Sequence, residues 1–487
     1  MIDTQAIRSK ILDLAMRGKL TEQLPEDGTA EELYRQIQAE KQALIKAGKI
    51  KKEKPLPEIS ADEIPFETPK SWKWVRLSDI ATTNIGLTYH PEDIAEDGTI
   101  VVRSSNIINS KMDYADLVKV RCPIRQNEYL NNNDIVICAR NGSKALVGKC
   151  AIYEGKSGKV AFGAFMAVLR TPFYRYVFCY LHTNAFRRYF HSDDSKQINQ
   201  VTQNILKEAL IPLPPLAEQH RIVARIEQDF SALDTIDALR AKYADNLAVL
   251  KSKLIDAAIR GKLTDQLPED GTAEELYRQI QAEKQALVKA GKIKKEKPLP
   301  EITADEIPFE IPKSWKWARL GNLMLDVSTG PFGSMLHESD YCEGGIPLVN
   351  PMHIQNGAIH PSDKMRVSPS TLERLSQYRL SEGMIVVARR GDLGRCARIG
   401  KSENGWICGT GCFFLNPSRH VFSPFITLVI SSPFARSVFR GTAIGTTMAN
   451  LNHNLLKGLP FPLPPLAEQK RIVERINELL AVYGEFE

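Results

Sequence analysis

The sequence predicts an α+β protein: two α/β domains separated by long antiparallel coiled-coil helices, pseudo-twofold symmetric and circularly arranged. Three observations predict it. A long block of sequence occurs twice with almost no change. Leu216–Leu263 carries no proline and steps its apolar residues by threes and fours, the mark of a helix with one buried face. The stretches between the repeated blocks are unlike one another, and each mixes short strand-like runs with a helical run.

The repeated block comes first in the chain. Gly18–Trp74 reads GKLTEQLPEDGTAEELYRQIQAEKQALIKAGKIKKEKPLPEISADEIPFETPKSWKW and recurs at Gly261–Trp317, offset by 243 with four changes in 57 positions. IPLPPLAEQHRIVARI from Ile211 recurs as FPLPPLAEQKRIVERI from Phe461, offset by 250. A period of this size is that of a domain with its connectors, not of a solenoid. Constant connectors around unlike domains imply one common frame and two different targets. The predicted segments are 1–70, an N-terminal helix and arm; 71–215, a first variable domain; 216–313, the long helix with the repeated insert; 314–465, a second variable domain; and 466–487, a short C-terminal helix.

Within the arm, Thr29 and Glu32 predict a capping box for a helix over 30–47 closed by Gly48, and Thr272, Glu275 and Gly291 repeat it. KAGKIKKEK is a basic run of a kind that can touch phosphate but more often forms a solvated face, and PLPEI and IPFE are proline-stiffened extended chain. The central helix covers 217–260, about 66 Å at 1.5 Å per residue. Its seam is Val223, Ile226, Phe230, Leu233, Ile236, Leu239, Tyr243, Leu247, Leu250 and Leu254, and Gly261 is its stop. Applied circularly, the repeat matches Glu487 to Asp237 and Met1 to Ala244. The first and last residues together rebuild the central helix, so the expectation is a split second rod antiparallel to the unbroken one.

In the first variable domain Thr99–Ile107, Asp134–Arg140, Cys150–Tyr153 and Val160–Leu169 are predicted strands. Tyr174–Phe190 is a predicted helix whose aromatic residues pack it onto the sheet. In the second, Pro347–Val349, Met384–Arg389, Cys396–Ile399 and Cys412–Leu415 are strands and Pro424–Arg440 a helix. VVRSSNIINS aligns with LVNPMHIQNG, ICARNGSKALVGKCA with VVARRGDLGRCA, and QVTQNILK with ANLNHNLLK, so one fold carries two divergent surfaces. The polar residues at these strand ends are of the types that read base edges in double-stranded DNA: Arg offers two donors to guanine, and Asn or Gln pairs with adenine. The candidates in the first domain are Arg103, Ser104, Asn106, Arg140, Asn141, Ser143, Lys144, Asn199, Gln200, Thr202 and Gln203. In the second they are Asn350, His353, Gln355, Arg389, Arg390, Asp392, Thr446, Thr447, Asn450 and Asn452. Asn, Gly and Ser also favour turns for purely local reasons.

Composition narrows the function classes. With 43% hydrophobic and 25% charged residues the chain is neither disordered nor fibrous. No apolar run reaches the ~18 residues of a membrane span, and the N-terminus lacks a signal-peptide pattern. The expectation is a cytoplasmic chain with its eight cysteines, none in a C-x-x-C pair, as reduced thiols. A net charge of +6 permits a polyanionic partner. There is no G-x-x-x-x-G-K-[ST] loop, no [DNS]-P-P-[YFW] tetrapeptide and no H-E-x-x-H, so no intrinsic catalytic or metal site is expected.

The two PLPPLAEQ-R-IV blocks, the GKLT segments that close long helices and the SWKW starts of the variable domains resemble the specificity subunit of type I restriction-modification systems, over essentially the whole chain. The resemblance implies a noncatalytic subunit whose two target-recognition domains each read one half of a bipartite, asymmetric DNA site. It also implies helices that set the spacer and dock two methyltransferase subunits, with restriction subunits joining that core. S-adenosylmethionine, ATP and magnesium then belong to the partners, and the chain itself takes no cofactor. The C-terminal helix stops short of the family pattern, at Glu487. A DNA-cutting or DNA-modifying enzyme acting alone, or a scaffold that binds only proteins, is the alternative reading.

Overall fold

The computed structural model describes residues 2–48, 55–155, 158–190, 200–332, 335–441 and 450–484. They divide into two units, Met1–Arg240 and Ala241–Glu487. In the first, α1 (Thr4–Met16) begins where the Asp3 carboxylate accepts the Ala6 amide. It ends at Gly18, whose φ of 65° suits glycine and whose Cβ, if present, would meet Pro69 at 2.4 Å. α2 (Ala30–Lys46) opens on the reciprocal Thr29/Glu32 capping box that the sequence predicts. Lys41 Nζ and Gln38 Nε2 donate to the carbonyls of Ser78 and Asp79, docking α2 onto the head.

The head of this unit contains β1 (Lys73–Arg76), β2 (Thr82–Ile85), β3 (Ile94–Val102), β4 (Val118–Val120), β5 (Ile135–Cys138), β6 (Cys150–Ile152), β7 (Val160–Phe162) and β8 (Met166–Arg170). Then follow α3 (Tyr174–Leu181), α4 (Asn184–Arg187), α5 (Gln203–Glu208), β9 (Leu210–Leu213) and the long α6 (Leu216–Ile259). An antiparallel sheet runs β2-β8-β5-β6, a second sheet runs β4-β3-β7 with β3 and β7 parallel, and β1 pairs with β9 to close the head at its base. Ile135 and Ile137 of β5 bury against Tyr176 and Tyr180 of α3. The two phenol groups donate to the carbonyls of Pro212 and Leu210, so the aromatic face packs α3 onto the head, as predicted.

Leu12 and Ala15 of α1 share that core with Ile222, Val223 and Ile226 of α6. Side chains of this size contribute about 2 kcal/mol each when buried. Thr4 donates to Asp237 (2.9 Å), Arg8 to Asp234 (2.8 Å), and Arg240 to the Ile2 carbonyl (2.8 Å). Position rises on α1 as it falls on α6, so the pair is antiparallel.

The second unit repeats the plan with its helices drawn from other parts of the chain. After α6 come α7 (Ala273–Lys289), β10 (Lys316–Arg319), β11 (Met324–Thr329), β12 (Tyr341–Val349), β13 (Arg366–Val367), β14 (Ile385–Ala388), β15 (Cys396–Arg398), β16 (Ile407–Cys408) and β17 (Cys412–Pro417). α8 (Ser423–Ser431), α9 (Pro433–Gly441), α10 (His453–Gly458), β18 (Pro460–Leu463) and α11 (Leu466–Gly484) complete it. The sheets are β11-β17-β14-β15, β13-β12-β16 and β10-β18, strand for strand those of the first unit. Here Ala258 and Ile259, from the end of α6, share a core with Ile472 and Ile476 of α11. Each end of α6 thus has its own partner, α1 in one unit and α11 in the other, which is the circular order the repeat predicts. Among the described residues no helix is long and apolar enough to cross a membrane.

Four sequence expectations need correction. The run Val160–Leu169 is two strands in different sheets, because a turn at Gly163, closed by Met166 N–H on the Gly163 carbonyl, redirects the chain. Tyr174–Phe190 breaks at Thr183, whose hydroxyl accepts the Phe186 amide and starts α4. Pro433 likewise separates α8 from α9. The seam of α6 is buried near its two ends and open midway: Leu239 is 60% and Tyr243 40% exposed. At Leu239 the helical part of α1 has ended, since it begins at Thr4 alongside Asp237.

Candidate nucleic-acid interface

The frame beneath each head is a clamp made from the repeated blocks. Glu218, 1% exposed, accepts the Trp72 indole N–H and the Gln23 amide, each at 2.8 Å. Gln219 donates to the Pro214 carbonyl (2.9 Å), and Arg221 pairs with Asp27 at 2.5 Å. That guanidinium holds the Asp27 carboxyl below its ordinary range. In the second unit Glu468 accepts from Trp315 and Gln266, each at 2.8 Å, and Arg471 pairs with Asp270 at 2.5 Å. GKLTEQLPED, SWKW and PPLAEQ-R, far apart in sequence, therefore meet at one place per unit. Their sameness is explained by a shared hydrogen-bond network that no single substitution leaves satisfied.

A latch ties the arm to the head. Arg76 pairs with Glu63 in the first unit and Arg319 with Glu306 in the second. The Arg319 guanidinium, helped by the Thr303 amide, pulls the Glu306 carboxyl down to about 2. A carboxyl whose folded pKa is depressed stabilises the fold above its unfolded value of 4.5, and the contribution is lost as pH falls through about 2. The expected result is a Glu306 carbon signal titrating near 2 by NMR. In Glu306→Gln, acid sensitivity between about 4.5 and 2 should diminish; an unshifted titration near 4.5 refutes the latch.

The heads carry their polar loops at equivalent strand ends. In the first unit Arg140 donates through Nε and a terminal nitrogen to Gln200 Oε1 (3.2 and 2.8 Å), and Asn141 Nδ2 donates to Ser104 Oγ (3.1 Å). The main chain fixes the same junction: Val201 N–H donates to the Ala139 carbonyl, and residues 140 and 200 form a β-bridge. Loops after β3 and β5 and the lead into α5 thus converge, bringing together residues that the sequence presents as two separate polar clusters. Arg140, Ser143 and Lys144 are exposed there, with Asn141, Gln200 and Gln203 half-buried beside them. Arg103 pairs with Asp116.

In the second unit residues 390 and 450 bridge, and Leu451 N–H donates to the Arg389 carbonyl. These registers place Arg140 opposite Arg390, one residue later than the string alignment ICAR/VVAR implies. Arg390, Asn450 and Gln355 are exposed and Asn350 half-buried.

Other candidates serve the scaffold. Asn106 is 1% exposed and spends its amide on the Asp113 and Asp116 carbonyls. His353, its counterpart at 3%, accepts the Asn350 amide at Nδ1, and burial keeps its pKa below the ordinary value. Both side chains are buried in this structure. Thr202 and Asn452 cap α5 and α10. Asp392 is paired with Arg436 and Arg440, and the Arg389 guanidinium lies 5.0 Å over the Phe413 ring. Asn199, Thr446 and Thr447 lie outside the described residues. Phe165, which the sequence places within the predicted strand Val160–Leu169, instead lies on the exposed turn between two strands.

Two like heads, each with a cluster of Arg, Asn and Gln on a clamped helical frame, define a DNA-recognition protein. The model of the type I restriction modification DNA specificity domain matches residues 69–242 and 312–483, one match per unit's head and following helix. The specificity subunit of the type I restriction enzyme EcoAI of Escherichia coli is 30% identical over 97% of this chain and 88% of its own length. That of EcoEI, from the same species, is 28% identical over 98% and 89%. A chain solved in a study of complex assembly and conformational transition of the type I R-M system superposes with a TM-score of 0.59 at 19% identity, covering 87% of this chain and 93% of that one. The chain belongs to the type I restriction-modification DNA specificity family, and its role is DNA recognition.

Proposed function

We propose that each unit reads one half of a bipartite, asymmetric site in double-stranded DNA, with the length of the helical frame setting the unread spacer. The helices dock two methyltransferase subunits, and restriction subunits join that core. The chain supplies recognition and no catalysis; S-adenosylmethionine, ATP and magnesium are used by the partners. The observation that carries this reading is one frame repeated under two heads whose strand ends coincide while their polar tips differ. Phosphate contacts would position each head and the tips discriminate bases. Exchanging residues 76–210 for the head of another such chain, assembled with the methyltransferase, should change one half of the methylated site and leave the other intact. A change throughout the site, or none, would end the proposal.

A further inference from the structure

Phe165 is 62% exposed, although its backbone is tied into the head by hydrogen bonds. Its carbonyl accepts the amides of both Ala139 and Arg140 (2.9 and 3.1 Å), and the turn it sits on is anchored by Gly163 N–H on the Val102 carbonyl (2.9 Å). The turn therefore lies between the two strand ends that carry Arg103–Ser104 and Arg140–Asn141. The large ring contributes little burial to the fold; an exposed phenylalanine alone says nothing, but this one stands between the two strand ends that carry the polar cluster.

The second unit shows that the fold does not require a side chain here. Gly411 occupies the equivalent position, since the Arg389 amide donates to its carbonyl as Ala139 donates to Phe165. A Cβ on Gly411 would meet Pro351 at 2.7 Å, and position 351 corresponds to Ser104. Bulk has changed sides: Phe165 with Ser104 in one head, Gly411 with Pro351 and the 58% exposed Met352 in the other. Each head thus exposes apolar side chains beside its polar strand-end residues, and at this junction they come from a different loop in each.

We propose that Phe165 is a specificity-determining residue of the first unit and that it reads the 5-methyl group of a thymine in the major groove. This rests on the DNA-reading role proposed above. The neighbours decide the groove: Arg, Asn and Gln read donor and acceptor patterns that are unique only in the major groove, where the thymine methyl is the single apolar feature.

The test uses the full chain assembled with its methyltransferase subunits. Methylated sites are mapped for the parent chain and for Phe165→Gly, Phe165→Leu and Arg140→Ala. The parent complex is then titrated against duplexes in which each thymine of the half-site assigned to the first unit is replaced by deoxyuridine. The expected result is one thymine whose demethylation weakens parent binding about fourfold, the worth of burying one methyl group. Phe165→Gly should bind both duplexes alike and accept cytosine at that position, Phe165→Leu should retain part of the preference, and the other half-site should not change. A half-site without thymine, equal methyl sensitivity in Phe165→Gly, or loss of assembly in both Phe165 variants overturns the inference. If Arg140→Ala alters the half-site and Phe165→Gly does not, only this inference falls. If neither does, the reading of this surface as a DNA interface falls with it.

Discussion

Glu218→Ala is expected to lower the stability of the chain by about 3 kcal/mol, the cost of losing hydrogen bonds to a buried carboxylate and stranding their donors. The Trp72 indole N–H and the Gln23 amide both end on this carboxylate, which is almost wholly out of solvent. Against a typical stability of about 5–15 kcal/mol the loss is large. Glu468→Ala should match it in the second unit, because Trp315 and Gln266 sit at the same distances. Glu218→Gln keeps one acceptor oxygen and should lose about half as much. Urea unfolding, read as a change of midpoint at constant slope, measures all three. A midpoint for Glu218→Ala equal to that of the parent chain would show that the clamp does not hold the frame.

Arg140→Ala should weaken discrimination at one base pair of one half-site by about tenfold to a hundredfold, the worth of a bidentate base contact. Gln200 holds two of the guanidinium donors, and among the described residues the others have no partner, as a contact to a guanine edge requires. Gln200→Ala should produce a smaller loss at the same base pair, since it frees the guanidinium to wander without removing it. Arg390→Ala should act on the other half-site alone. Competition binding of the assembled complex to single-base variants resolves these outcomes. A uniform loss across all variants with a reduced salt slope would instead make Arg140 a phosphate contact.

The frame was legible in the sequence because its signals are local or repeated. Thr29 with Glu32, Gly18 and Gly261, and the proline-free reach of α6 each declare their structure within a few residues. What brings Trp72 to Glu218 is not local, and no periodicity records it. The heads were read less well. Val160–Leu169 is one apolar run whether it forms one strand or two, and only Gly163 hints at the turn. At the candidate interface, residue type alone could not separate exposed side chains from buried ones. Asn106 and Asn141 look alike in sequence, yet one is sealed under the loop and the other stands beside Ser104 at its edge. Arg389 and Arg390 are adjacent, and the sheet register decides that the second is the equivalent of Arg140. The seam of α6 failed midway, at Leu239, because periodicity describes a face and not the length of what covers it.

The tips are joined to their strands by main-chain bonds: Val201 to Ala139, Leu451 to Arg389, and residue 165 or 411 to the strand beside it. Such bonds are indifferent to side-chain identity. Random replacement at Arg140, Ser143, Lys144 and Phe165 should therefore yield mostly folded molecules with new preferences, whereas replacement at Trp72 or Glu218 should yield few. Under the proposed role, such a molecule can be given a new address without being given a new chassis.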